Sequence, residues 1–188
     1  MSRPIDGGAV VASSLVARPQ RARIGRRLVE ATCIVFVAGT VVVGAGAVGH
    51  TLTWNLSSSL PRGLYLLRRG ATATAGSIVA FPVPARVAAV MAARRYLPPG
   101  TLLLKRIVAM PGEHVCVGDR TLKVNGRLLG PVADRDSAGR RLTAFGFCGD
   151  ISPGFVFVAT ASRLSFDSRY FGPVPIPSLI VATPLWTY

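Results

Sequence analysis

Two patterns of apolar and polar positions divide the chain. From Ala31 to Gly49 nineteen residues carry no charge and are rich in Val, Ala and Gly. At about 1.5 Å per residue, a helix of that length matches the roughly 30 Å hydrocarbon layer of a bilayer, so a transmembrane helix is expected there. Residues 1–30 are polar and basic, with Arg18, Arg21, Arg23, Arg26 and Arg27 clustered and no apolar period; they read as a tail. Beyond Thr51 the chain changes to short apolar runs broken by Gly and Pro, the period of strands. The runs are 63–67, 77–81, 102–109, 114–117, 121–124, 127–129, 155–159 and 179–183. Asn125-Gly126 between two of them predicts a hairpin, because both residues tolerate positive φ.

One stretch departs from this period. From Ala85 to Tyr96, Ala, Val and Met recur among Arg86, Arg94 and Arg95 until Pro98-Pro99, which predicts a short helical insertion whose Met91 and Tyr96 serve packing. Residues 133–146, with Asp134, Asp136, Arg140 and Arg141 in no period, read as an exposed loop. The expected fold is therefore mostly β: an antiparallel body at 50–188, a short helical insertion, a transmembrane anchor at 31–49 and a basic tail at 1–30.

Charge sets the orientation. The 188 residues carry a net charge of +14, but the basic side chains are spread along the chain without the aromatic motifs of RNA binders, so no nucleic-acid partner is expected. Arginines precede the apolar span and none follows it for a dozen residues, which favours a cytoplasmic amino end and an exported body. Ala45-Gly46-Ala47 has the small residues of a signal cleavage site, so a removed signal is the competing reading. Export places Cys116 and Cys148 in an oxidising space, where a disulfide between them is expected and two free thiols are the alternative.

The candidate chemistry lies in three stretches. Of the 22 basic residues only Lys105 and Lys123 are lysine, leaving twenty arginines. Lys105 sits within an apolar run, where an ammonium loses its proton far more readily than a guanidinium, and a neutral lysine can activate a serine of the Ser57-Ser58-Ser59 stretch. The third stretch, 164–174, sets Asp167 among hydroxyls and aromatics, placed to pair with Arg169 or Arg106. His50 and His114 read as structural or solvent-facing, and the cysteines lack paired ligand spacing, so neither metal nor cofactor is expected.

Together these stretches resemble the signal peptidase I superfamily (peptidase family S26), and within it the TraF-type peptidases of conjugative transfer. Ser59-Leu60-Pro61 within 55–65 is similar to the nucleophile box, Leu104-Lys105-Arg106 with Pro111-Gly112 to the lysine box, and residues 165–172 to the closing box; the Asn125-Gly126 hairpin and 182–187 fit too. The resemblance runs from about Trp54 to the end. It implies Ser59 as nucleophile, Lys105 as general base, Ser57 as an oxyanion donor beside the Ser59 N–H, and Ser165 as a residue that orients the lysine. It implies Asp167 as the acid of the closing box, holding Arg106 or Arg169 or acting as a third catalytic member. Leu164 departs from the branch, which often has an acid there.

The function so implied is a Ser-Lys endopeptidase that processes, and in one outcome cyclises, a pilin precursor. Its partners would be that precursor, the inner membrane and other components of conjugative transfer or type IV secretion, with the catalytic body in the periplasm. The alternatives are a general type I signal peptidase and a non-catalytic anchored component of the mating-pair apparatus.

Overall fold

The computed structural model describes residues 50–98 and 100–188; the tail at 1–30 and the span at 31–49 lie outside the described residues. Among the described residues no helix is long and apolar enough to cross a membrane. Eleven strands form the body: β1 (His50–Asn55), β2 (Gly63–Arg68), β3 (Ile78–Phe81), β4 (Leu103–Ala109), β5 (His114–Gly118), β6 (Thr121–Val124), β7 (Arg127–Pro131), β8 (Cys148–Asp150), β9 (Phe155–Ala159), β10 (Val174–Pro175) and β11 (Ile180–Thr187). They make a seven-stranded sheet in the order β1-β2-β11-β3-β4-β9-β10 and a four-stranded sheet in the order β7-β6-β5-β8, with every pairing antiparallel.

The larger sheet is buried on both faces at its centre, which is why β3 (IVAF) is an unbroken apolar run rather than an alternating one. Val79, Phe81, Leu103 and Ile107 face one core together with Val87 and Met91 of helix α1 (Ala85–Ala93). Ile78, Ala80 and Leu104 face the other, with Leu60, Tyr65 and Leu67. A third core joins the sheets, Val115, Val117 and Leu122 packing with Phe157 and Ala159. The smaller sheet alternates: β5 buries Val115 and Val117 and turns His114 outward.

The predicted strands recur within a few residues at each end, and the hairpin at Asn125-Gly126 joins β6 to β7, with φ of 49° and 78°. Three strands carried no recognisable run. β1 begins where the apolar span ends, β8 is three residues held against β5, and β10 is a two-residue pairing with β9. The helical insertion is shorter than expected, because Arg94 closes it and Arg95 takes φ 53°. The stretch 133–146 is not a freely solvated loop: Arg135 and Arg141 bridge, and the Asp136 side chain is largely buried.

Candidate active site

The turn joining β1 to β2 carries Ser57, Ser58 and Ser59, and its shape is set by Asn55 at the last position of β1. The buried Asn55 amide donates through Nδ2 to the carbonyls of Ser57, Leu60 and Pro61 at 3.0–3.2 Å, and its Oδ1 accepts from the Ser57 N–H and hydroxyl at 3.1 and 2.8 Å. One side chain thus replaces the regular pairing that the seven-residue turn 56–62 lacks, a use of Asn common in turns. Leu60 buries itself in the core and the Tyr65 hydroxyl donates to the Pro61 carbonyl at 2.7 Å, fixing the far side of the turn. Gly63 then starts β2 with φ 144°, where a Cβ would stand 2.0 Å from the Trp186 carbonyl oxygen of β11. Only glycine lets the two strands meet directly behind the serines.

Lys105 occupies the middle of β4, opposite Val79, and shares its face with Leu103 and Ile107. Its Nζ donates to Ser59 Oγ at 3.0 Å and to Ser165 Oγ at 2.9 Å. Burial pushes the Lys105 ammonium down to about 8, with the Asp167 carboxylate pulling the other way and the Arg169 guanidinium adding to the fall. Ser57 Oγ lies 3.0 Å from Ser59 Oγ. An amine near its midpoint of ionisation, bonded to a hydroxyl that reaches solvent, can take that hydroxyl's proton at ordinary pH.

Ser165 is held by the segment after β9. Asp167 caps the short helix α2 (Ser168–Phe171), and its carboxylate accepts from Arg169 Nε at 2.8 Å and Nη2 at 2.6 Å. Both residues are fully buried. The remaining guanidinium donors go to the carbonyls of Pro131, Thr160, Ser162 and Ser165. The planar fork therefore ties the turn that presents the Ser165 hydroxyl, each of its three nitrogens finding an acceptor where burial removes water.

Arg106 is the exception among the expected residues. Strand alternation turns it away from Lys105, and its exposed guanidinium donates to the Gly76 carbonyl at 2.6 Å rather than to Asp167. Ser57, Ser59, Lys105 and Ser165 come together, and Asp167 with Arg169 stands behind them. Sequence reasoning missed the role of Asn55, although an Asn just before a Pro-containing turn is itself a signal. It also missed the contact of Tyr96, whose hydroxyl donates to Asp136 at 2.6 Å. That bond, aided by Arg140, holds the Asp136 carboxyl well below the usual carboxylate range.

Ser59 and Lys105 lie in a cleft of about 620 Å³. Its walls are mostly apolar, with Leu56, Met91, Leu102, Leu164 and Phe166 prominent, and Tyr96 and Asp136 line it too. Cys116 and Cys148 are joined as a disulfide across β5 and β8.

A family model for signal peptidase, peptidase S26, matches residues 21–186. The conjugal transfer protein TraF of Agrobacterium fabrum is 32% identical over 165 residues, covering 81% of this chain and 93% of the relative. A probable conjugal transfer protein TraF of Sinorhizobium fredii is 31% identical over 186 residues, covering 93% and 97%. A crystal structure of a signal peptidase I from Enterococcus faecalis aligns at 28% identity over 58% of this chain and 94% of that one, with a TM-score of 0.35, too low to bear on the fold. The match to the family model over most of the chain, with relatives matched along nearly their whole length, shows that the protein belongs to the signal peptidase family, peptidase S26.

Proposed function

We propose that this protein is a serine endopeptidase of a conjugative transfer system that processes a pilin precursor, with Ser59 as nucleophile and Lys105 as general base. The observation that carries the reading is the buried Lys105 amine, bonded to Ser59 Oγ in a mostly apolar cleft. Ser59 Oγ attacks the scissile carbonyl carbon while its proton passes to Lys105 Nζ. The tetrahedral intermediate collapses, the leaving amine takes that proton, and an ester to Ser59 remains. Water then releases a linear product and restores Ser59, or the substrate's own amino terminus attacks and releases a ring.

The negative oxygen of the intermediate would be met by the Ser59 N–H and the Ser57 hydroxyl. In the resting site that hydroxyl is engaged by Asn55 Oδ1 at 2.8 Å, so it turns when the oxyanion forms; a single such donor is worth about 2.7–4 kcal/mol. Ser165, held by Arg169 and Asp167, keeps Nζ aimed at Ser59.

The surroundings favour a substrate cut beside its own membrane span. Trp54 lies 5.7 Å from Trp186 with the rings tilted, and Trp186 lies 5.2 Å from Tyr188. These rings, with Leu56 and Leu185, form an exposed apolar rim at the β1–β2–β11 end of the body, next to the serine turn. Such a rim suits the surface of the inner membrane, with the body on its periplasmic side and the 31–49 span as anchor. The relatives named as conjugal transfer proteins supply the system, and its other components are the expected neighbours.

Coexpression of the candidate pilin with the wild type, Ser59→Ala or Lys105→Ala, followed by mass measurement of the pilin, tests the reading. The wild type is expected to yield the shortened product, one water lighter if cyclised, and both variants to leave the precursor intact. Processing by either variant would overturn the assignment. Cleavage of a broad panel of unrelated preproteins would point instead to a general signal peptidase.

A further inference from the structure

The outer face of the four-stranded sheet carries a cluster that the peptidase chemistry leaves unused. Strand alternation buries Val115, Val117 and Leu122 and turns His114, Cys116 and Lys123 outward, with Cys148 and Asp150 exposed beside them on β8. Register sets two rows across the strands. Cys148, Cys116 and Lys123 lie side by side in one, and Asp150 and His114 in the other. The disulfide joins the first two members of the first row. In the second, His114 Nδ1 lies 2.7 Å from Asp150 Oδ1, and its Nε2 points back to Cys148 Sγ at 3.9 Å. One of the two histidines of the whole chain therefore stands against the sulfur pair and one of its two lysines is in register beside it.

We propose that this face is a thiol–disulfide exchange site at which a dithiol reductant, small or protein-borne, opens the Cys116–Cys148 bond, and that opening it loosens the segment 133–147 that walls the cleft. Exchange is fastest when the departing sulfur is stabilised as a thiolate, and neighbouring cations provide that. A thiolate of the reductant attacks Cys116 Sγ along the row, over Lys123, whose ammonium draws the incoming anion. The disulfide bond breaks, and Cys148 leaves as a thiolate beside His114, which Asp150 holds by the other ring nitrogen. The second thiol of the reductant then attacks the mixed disulfide and expels Cys116 Sγ, opposite Lys123. Two electrons and two protons pass to the protein, which ends as two thiols while the reductant ends as a disulfide.

The consequence for the cleft follows from the chain path. β8 pairs with β5 alone, and the segment that leads into it brings Asp136, Ser137 and Leu142 to the cleft wall. Near its end that segment is tied by the Phe145 N–H to the Arg169 carbonyl at 2.8 Å, by the Phe147 carbonyl to the Val117 N–H, and by the disulfide. Removing the covalent tie leaves that end to the hydrogen bonds of a three-residue edge strand, the Phe145–Arg169 bond and the packing of Phe145 and Phe147.

Reduction of the folded full chain by dithiothreitol at pH 7, followed by acid quench and mass measurement of alkylated thiols, tests the site. The wild-type disulfide is expected to open, and the surface variants to open about threefold to tenfold more slowly, His114→Ala through a higher-pKa leaving sulfur and Lys123→Met through a weaker draw on the incoming thiolate. Equal rates in all three proteins, or a wild-type bond resistant to the reagent, would overturn the exchange site. Hydrogen exchange of residues 133–147, compared between the oxidised and the reduced and alkylated protein, tests the coupling. Faster exchange in the reduced form is expected, and unchanged exchange would refute it. Neither readout uses peptidase activity, so failure here is distinct from failure of the Ser59–Lys105 assignment.

Discussion

If Lys105 serves as the base, its ionisation dictates the pH dependence of processing. Burial lowers this amine to about 8, so at pH 7 about a tenth of the molecules hold it neutral and at pH 9 about nine tenths do. A substrate peptide with blocked termini and no group titrating between pH 6 and 10 isolates the enzyme's contribution. For such a peptide kcat/KM is expected to rise about tenfold from pH 7 to pH 9 and then level, with a slope near one per pH unit below about 7. The perturbation that isolates the cause is Lys105→Arg, which keeps a cation in place but has no accessible neutral form. It is expected to be inactive across the range. A profile that is flat or falling between pH 6 and 9, or measurable turnover by the arginine variant, would refute the reasoning, because either result would mean that the proton of Ser59 goes elsewhere.

The same burial predicts an effect of pH on stability. The lysine pKa is lower in the folded chain than its ordinary value of 10.5, so the unfolded chain binds more protons between the two values and stability rises as pH climbs from about 8 to 10.5. At pH 7 the full cost is present, about 3 kcal/mol at 1.36 kcal/mol per unit, so Lys105→Met is expected to unfold at higher urea than the wild type, less whatever the Ser165 hydroxyl loses. A lower midpoint would contradict this. Asp167→Asn leaves the Arg169 guanidinium buried beside a neutral amide and is expected to lose about 3–5 kcal/mol, read as a lowered urea midpoint; an unchanged midpoint would show that the pair is not holding the closing segment. Gly63→Ala sets a Cβ 2.0 Å from a backbone oxygen, with a backbone angle few L-residues adopt. It is expected to lower the melting temperature by more than any surface Gly→Ala control, whereas an equal melting temperature would mean β11 yields at no cost.

Much of the fold was legible because strands announce themselves locally. The runs at 121–124 and 155–159 match β6 and β9 residue for residue, since an apolar run bounded by turn residues has few other ways to bury itself. β8 and β10 gave no such signal. Their two or three residues are extended only because β5 and β9 offer them hydrogen bonds, which no local pattern encodes. The helical insertion was readable but its end was not, because Arg95 at φ 53° follows from the chain's turn toward Tyr96 and not from propensity.

The candidate site divides along the same line. The scarcity of lysine marked Lys105 from the sequence alone, because a chain that draws its charge from arginine has a chemical reason for the rare amine in an apolar strand. The hydroxyl-rich turn and the closing segment were marked by their residue types. The choice between Arg106 and Arg169 belonged to tertiary structure: alternation along β4 sends Arg106 to solvent, while the turn after β9 folds Arg169 onto Asp167 and four carbonyls. The Asn55 network and the bond of Tyr96 to Asp136 in the cleft wall were decided there as well, the latter joining residues forty apart in sequence. Residue chemistry is local and survives in a string of letters, whereas the direction and partner of a side chain depend on strands that meet only once the chain has folded.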